Sequence, residues 1–380
     1  MSEKSLDHNL ANQKVANDFE FATNLMVNTA RHIVISSCGT YLPKNIVTND
    51  DLPKHLETSD EWIQKRTGIK QRHIAAADET TSDMAAKALQ QALQKANLKI
   101  DDLDAVIVAT STPDLFMPST AVLVQNKLGG SGRNMAFDLN AACSGFVYAL
   151  EVGYRMLKEN LNWQNVAIIG ADSMSKIVDW NDRSTCVLFG DGAGAVILNV
   201  EYSKENTEFA DLDSEPGKNR SALNLKKQSG IIDFITYGNA KLCDILNTKS
   251  GVSNQNLNDY TISMVGKEVF KHAVAEMSQI AQQILAKNGF TVDDVDFIVP
   301  HQANMRILTA IEEKLGIAKE GVSASNKMAT SVIQHANTSA ATIPLALDMY
   351  LQQGKIKKGD LLLMLAAGAG MVFGGVLLRW

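Results

Sequence analysis

The sequence has no CxxC pair and no cluster of cysteine with histidine; its four cysteines, Cys38, Cys143, Cys186 and Cys243, are widely scattered. That spacing excludes a disulfide framework and a zinc site as organising features. No uninterrupted apolar run reaches the ~18 residues of a membrane span. The longest candidate, LLLMLAAGAGMVFGGVLL over 361–378, is broken by glycines. The first twenty residues carry early acidic side chains and no continuous apolar core, so they do not read as a secretory leader. Positive charge is also short: 36 Lys and Arg against 42 Asp and Glu leave a net charge of −6. A broad nucleic-acid-binding surface is therefore disfavoured. A cytoplasmic, reduced setting is the expectation. What is present is a globular composition, 45% hydrophobic and 21% charged, over 380 residues. That length suits two or three domain-sized units that need no covalent staple.

Residues 1–30 are polar with a weak apolar scatter and read as an extension, a packing arm rather than a functional module. The β-branched run RHIVISS (31–37) predicts a strand ended by Cys38-Gly39. Over 80–96, Met84, Ala88, Leu89 and Leu93 fall on one helical face, capped by Thr81 or Ser82. AVIVA (105–109) and NVAIIGAD (165–172) read as buried strands. FDLNAA (137–142) leads into a helix over 144–158, and VLFGDGAGAVILNV (187–200) reads as two strands around a glycine turn. Residues 201–230 turn polar and charge-rich, so 201–260 is read as a connecting excursion between an N-terminal half, 31–200, and a C-terminal half, 261–380. The second half repeats the first: a helix over 266–287 precedes the strand 296–300, a loop-to-helix element spans 337–351, and a buried strand spans 360–368. Asp104 lies 39 residues before Cys143, and Asp296 lies 41 before Asn337. This is the mark of a duplicated α/β unit, with a site where the strand-end loops of both halves converge.

Within that frame, Asn140-Ala-Ala-Cys143-Ser-Gly-Phe146 places a cysteine between a strand and a helix. Small neighbours would let a substrate approach the sulfur, and a helix N-terminus favours a thiolate, lowering the pKa below about 8.5. A buried core cysteine is the competing reading. His301 follows the strand ending at Pro300, and Asn337-Thr-Ser could be no more than a helix cap; His335 reads as a loop residue. Gly190-Asp-Gly192-Ala-Gly194 superficially resembles a dinucleotide-binding turn, but a strand pattern follows it where the fingerprint requires a helix. The glycines of 368–375 follow a strand and could bring backbone N–H groups to a substrate oxygen.

The segments DEWIQKRTGIKQRHIA (60–75), DLNAACSGFVYAL (138–150), DRSTCVLFGDGAGA (182–195), VPHQANMRI (299–307), NTSAATIPLAL (337–347) and the terminal GAGMVFGG resemble, in order, the β-ketoacyl-acyl-carrier-protein synthase III enzymes of the thiolase superfamily. The resemblance covers about 31–200 and 261–380. It implies a homodimer of α/β, thiolase-like subunits with five αβαβα layers and two duplicated halves, and Cys143, His301 and Asn337 as the catalytic triad. It implies no metal or redox cofactor; coenzyme A enters as the acyl-CoA substrate, and acyl carrier protein as partner. By position, Trp62 and Arg183 would flank the adenine, and Arg66, Gly266, Phe270, Ala303 and Asn304 would line the pantetheine route. The backbone N–H groups of Cys143 and Ala369 would hold the oxyanion. Lys271, Arg306 and Lys314 would meet the acidic carrier, though Lys314 reads equally well as a solvated face.

The departures from the family pattern fall on the acyl pocket, expected at Met117, Phe189 and Ala367. Methionine stands before Pro118-Ser119 where a phenylalanine is usual, Ala367 replaces a second phenylalanine, and Ala369 interrupts a glycine triplet. The segment 323–336 is also longer than usual. These changes suggest a primer larger than acetyl: medium-chain, branched, or a β-ketoacyl group. The competing readings are a specialised ketosynthase or acyltransferase of secondary metabolism and a non-catalytic acyl-CoA-binding protein. A degradative thiolase is disfavoured because no cysteine follows Cys243 to act as its second base.

Overall fold

The structure, a computed structural model, describes residues 31–202, 229–251, 253–256, 259–318 and 326–380. The expected extension 1–30 and the start of the lengthened segment 323–336 lie outside them. Strands β1 (Arg31–Tyr41), β2 (Asn45–Thr48), β3 (Gln71–Ile74), β4 (Ala105–Ala109), β5 (Met135–Leu139), β6 (Asn165–Ser173) and β7 (Asp191–Tyr202) come from the first part of the chain. They are followed by β8 (Gly230–Gly238), β9 (Leu246–Thr248), β10 (Ile262–Met264), β11 (Phe297–Pro300), β12 (Leu361–Gly368) and β13 (Val372–Arg379). The principal helices are α1 (Asp60–Thr67), α2 (Thr81–Ala96), α3 (Thr120–Lys127), α4 (Gly145–Glu159), α5 (Gly266–Lys287), α6 (Met305–Leu315), α7 (Val332–His335) and α8 (Thr342–Gln352).

Two sheets form the frame, ordered β1-β7-β6-β4-β5 and β8-β13-β12-β11. Their pairings match strand for strand. In the first, β4 and β6 are parallel while β6–β7 and β7–β1 are antiparallel. In the second, β11 and β12 are parallel while β12–β13 and β13–β8 are antiparallel. A single parallel bridge, Ile298 to Met328, occupies the position that β5 holds in the first sheet.

The strand period of two explains the layering, since alternate side chains of each buried strand face opposite helix layers. On β6, Val166 and Ile168 pack with Phe146 and Leu150 of α4 and Ile343 and Leu347 of α8, against Leu362 and Met364 of the second sheet. Ala167 and Ile169 face the other way, onto Met84 and Leu89 of α2. On the far side, Leu363 and Leu365 meet Ile280 and Ile284 of α5 and Ile307 of α6. The sequence of layers is therefore α/β/α/β/α, as the resemblance implied. Among the described residues, no helix is long and apolar enough to cross a membrane.

Some local expectations change. The strand predicted to stop at Cys38-Gly39 runs on to Tyr41, because its pairing with β7 continues through Tyr41–Ala193. Residues 187–200 do not form two strands around a glycine turn: β7 is one strand, paired continuously to β6 from Ser173–Asp191 onward. Its glycines serve contact, for a Cβ at Gly194 would lie 2.6 Å from the Pro344 Cβ of α8. Thr80, not Thr81 or Ser82, caps α2: its hydroxyl accepts from the Asp83 N–H, and its own N–H donates to the Asp83 carboxylate. The expected connector 201–260 contributes β8 to the second sheet, and β9 pairs with β10 beside the cavity described below. His335 is the last residue of α7 rather than a loop residue, its ring edge-on to His73.

Candidate active site

Three loops at strand ends deliver the predicted triad to one cavity of about 390 Å³, lined by Cys143, His301 and Asn337. Cys143 lies in a short 3-10 turn, Ala142–Ser144, between β5 and α4. The turn is clamped. Ser144 Oγ donates to the Val372 carbonyl of β13 at 3.0 Å, and Ala142 N–H donates to Asn140 Oδ1 at 3.1 Å. A Cβ on Gly368 would stand 2.8 Å from the Ser144 nitrogen and 3.0 Å from that of Cys143. The small residues around Cys143 thus serve mainly close packing of the turn onto the second sheet, since Ser144 is fully buried.

Burial opposes the thiolate that the position before a helix suggests. Burial pushes Cys143 up to about 12, with a nearby Asp172 carboxylate adding to the rise and the Ser339 side chain opposing it. Desolvation of the anion is the largest of these contributions. Burial likewise holds His301 down at about 3, so its imidazole is neutral.

Asn337 is positioned through its backbone, which bridges to Phe189: Asn337 N–H donates to Leu188 O at 2.9 Å, and Gly190 N–H donates to Asn337 O at 3.1 Å. Its side-chain Oδ1 accepts from the Ser339 N–H at 2.9 Å, which leaves the Nδ2 donor for the cavity. Sequence reasoning missed the residues that set this geometry. Gln302 donates to Pro300 O and Ala329 O and accepts from Ser331 and Val332 N–H, holding the loop before Asn337 onto the His301 strand. Asp172, fully buried, accepts from Ser111 N–H at 2.7 Å and Ala340 N–H at 3.1 Å, tying the two halves together behind Cys143. Only position in the loop motifs could have pointed to them; neither carries a spacing signal of its own.

Of the other predicted residues, Arg66, Gly266, Phe270, Ala303, Asn304, Arg306, Phe189 and Ala367 line the same cavity. Asn304 also caps α6, its Oδ1 accepting from Ile307 N–H at 3.0 Å. Trp62 and Arg183 lie outward, in an adjoining recess that Arg66, Gly266 and Arg306 share. Arg66 and Arg183 both approach the Trp62 ring, at 4.6 and 5.5 Å from its centroid. Ala369 follows β12 in the turn beside Gly368. Lys271 is exposed and pairs with Glu268 at 3.6 Å. Lys314 is exposed at the far end of α6, about 12 Å of helix away from Arg306.

Within the single chain Met117 does not line this cavity and is 82% exposed. The chain leaves the sheet after β4 and loops outward before α3 starts at Thr120, carrying residues 115–117 to the surface. The wall contains apolar residues not anticipated, among them Leu246, Met264, Ala273, Met277 and Met371. Among the described residues the lining holds no carboxylate, whereas Arg66, Lys267 and Arg306 stand at it.

Comparison with known proteins agrees with this geometry. The 3-oxoacyl-[acyl-carrier-protein] synthase III family profile matches residues 137–216, and the profile of that enzyme's C-terminal region matches 285–380. The β-ketoacyl-[acyl-carrier-protein] synthase III of Wolbachia pipientis wMel is 44% identical over 346 residues, covering 91% of this chain and 98% of its own. That of Neisseria gonorrhoeae is 44% identical over 347 residues, with the same coverage. The crystal structure of 3-oxoacyl-[acyl-carrier-protein] synthase III from Aquifex aeolicus VF5 has a TM-score of 0.78 and 43% identity, over 92% of this chain and 100% of that one. With two matching profiles, near-complete coverage and a shared five-layered fold, the chain belongs to the 3-oxoacyl-[acyl-carrier-protein] synthase III family of condensing acyltransferases.

Proposed function

We propose that the protein joins an acyl-coenzyme A primer to malonyl-acyl carrier protein by decarboxylative Claisen condensation, at the start of fatty acid synthesis. The observation that carries the reading is one cavity in which a cysteine, an imidazole and a carboxamide meet with no carboxylate in its described wall. A neutral, buried thiol needs a base, and His301 is the candidate. As the sulfur attacks the thioester carbonyl, the thiol proton passes to His301 Nε2. The tetrahedral intermediate then expels the coenzyme A thiolate, which takes that proton and leaves as a thiol. The Cys143 and Ala369 N–H groups are assigned to the oxyanion of this step.

The malonyl thioester follows. Loss of CO₂ leaves the electron pair of the broken C–C bond in an enolate, and the Asn337 Nδ2–H donates to its oxygen. One proton taken up from solvent onto His301 Nε2, the proton that the overall condensation consumes, makes that ring a second donor. The enolate carbon attacks the acyl-cysteine, and the released thiolate takes the His301 proton, restoring the starting state. A single well-placed donor of this kind is worth about 3–4 kcal/mol.

Arg66, Lys267 and Arg306 at the cavity favour phosphate groups and an acidic carrier; Trp62 and Arg183 are assigned to the nucleotide end, and Arg306 is the preferred carrier contact over Lys271 and Lys314. The chain is assigned to a homodimer, because the edge strand β5 exposes Met135 and the loop before α3 exposes Leu115, Phe116 and Met117. Sedimentation at twice the 41.3 kDa chain mass is the check; a monomer at micromolar concentration contradicts it.

The primer is assigned as larger than acetyl, because Ala367 and methionines 264, 277 and 371 form an apolar wall where a bulkier residue at 367 would fill space. A panel of acyl-coenzyme A esters with malonyl-acyl carrier protein, followed by the mass of the acylated protein, tests both statements. The expected result is kcat/KM for octanoyl-coenzyme A above that for acetyl-coenzyme A. Ala367→Phe should lower the octanoyl value about ten-fold or more while retaining acetyl transfer. Acetyl preference in the unaltered protein would overturn the assignment.

A further inference from the structure

His301 Nδ1 lies 2.7 Å from Thr342 Oγ1, and the same hydroxyl oxygen lies 2.9 Å from the Ser339 carbonyl, to which it donates. A threonine hydroxyl carries one proton. If that proton points to Ser339 O, the oxygen lone pairs face the ring, and the second contact becomes a hydrogen bond only when Nδ1 carries a proton. The opposite arrangement, with the hydroxyl turned to an unprotonated Nδ1, keeps one of the two bonds. All the groups concerned are buried: Thr342 and Ser339 are 1% exposed and His301 3%. The arrangement with both bonds has one more buried hydrogen bond than the other, while Ser339 O accepts from the Thr342 backbone N–H in either case.

We infer that Thr342 is a positioning residue that holds His301 in the Nδ1–H tautomer and so presents an unprotonated Nε2 to Cys143. The inference deepens the proposed mechanism and rests on it, since only a reaction that begins by removing a thiol proton needs this tautomer. Ser339 coordinates the arrangement. Its carbonyl orients the Thr342 hydroxyl, its N–H fixes the Asn337 amide, and its backbone is in the left-handed region at φ 51°. One residue thus aligns the ring for accepting a proton and the carboxamide for donating a hydrogen bond. In hydrolases that use a histidine base, an orienting partner that leaves the wrong tautomer costs up to ~10⁴ in rate; a neutral hydroxyl should count for less.

The experiment compares the unaltered protein with Thr342→Val and Thr342→Ser. Ring ¹⁵N–¹H correlation spectra, with the His301 signals identified by their loss in His301→Ala, report the tautomer without any substrate. Rapid-mixing release of coenzyme A reports acylation. The Nδ1–H pattern is expected in the unaltered protein. Thr342→Val should shift it toward Nε2–H and slow acylation about ten-fold or more, and Thr342→Ser should restore both. An Nε2–H pattern in the unaltered protein, or a Thr342→Val protein that acylates at the original rate, overturns the inference. Because the spectra are taken on free protein, an unaltered enzyme that shows the Nδ1–H pattern but forms no acyl-cysteine would refute the mechanism and leave the tautomer standing.

Discussion

Cys143→Ser is expected to abolish the acyl-enzyme: incubation with an acyl-coenzyme A should add no acyl mass, and condensation should fall by on the order of 10⁴ or more. Several features combine to make the loss this large. The sulfur sits in a turn pinned by Ser144 to β13 and packed closely against Gly368 of β12, which fixes where the nucleophile stands. Cys38 and Cys186 are buried away from the cavity lining, and Cys243 is exposed outside it. A serine hydroxyl is also harder to deprotonate than a thiol already raised to about 12 by burial, and the neutral His301 offers it no additional driving force. An acyl adduct of normal amount on Cys143→Ser, or one mapped to another residue of the unaltered protein, would remove the basis of the mechanism.

The second large effect separates the two halves of the reaction. Asn337→Ala should still take up an acyl group near the normal rate and lose condensation by about 10²–10³, the value of one donor to a developing oxyanion. The split follows from where the side chain is tied. Asn337 Oδ1 is held by the Ser339 N–H, so only its Nδ2 is free to serve the cavity, and a donor without a basic partner cannot take the thiol proton. The backbone bridge between Asn337 and Phe189 does not depend on the side chain, so the loop should keep its course in the variant. The measurement is the ratio of coenzyme A release to CO₂ release from malonyl-acyl carrier protein. Equal loss of both would refute the division of labour between Asn337 and His301.

Much of the frame was legible because buried strands and amphipathic helices carry periodicities of their own. AVIVA at 105–109 and the helix over 266–287 appear with the predicted bounds. The errors share a cause. Gly39 and the glycines of 190–194 carry the local pattern of chain-turning signals, but they lie in or beside long strands, where the missing side chain admits a close neighbour. That neighbour, with Pro344 against Gly194, is some 150 residues away in sequence and leaves no mark on local pattern. The polar composition at the start of 201–260 suggests a connector, yet β8 from this stretch completes the second sheet by pairing with the last strand of the chain.

At the site, the residue types and their loops were decided by the sequence: cysteine after β5, histidine after β11, asparagine in the loop that matches the cysteine loop in the repeated half. Their protonation and orientation were decided only by tertiary packing. The charge state of a thiol depends on how completely water is removed around it, and local sequence does not encode that burial. The tautomer of His301 depends on a hydroxyl 41 positions later, the Asn337 amide on the N–H of Ser339, and the exposure of Met117 on the direction in which the loop leaves the end of β4. Hydrogen bonds and desolvation act over ångströms between atoms that the chain brings together only when both halves have closed on each other, so these properties belong to the folded molecule.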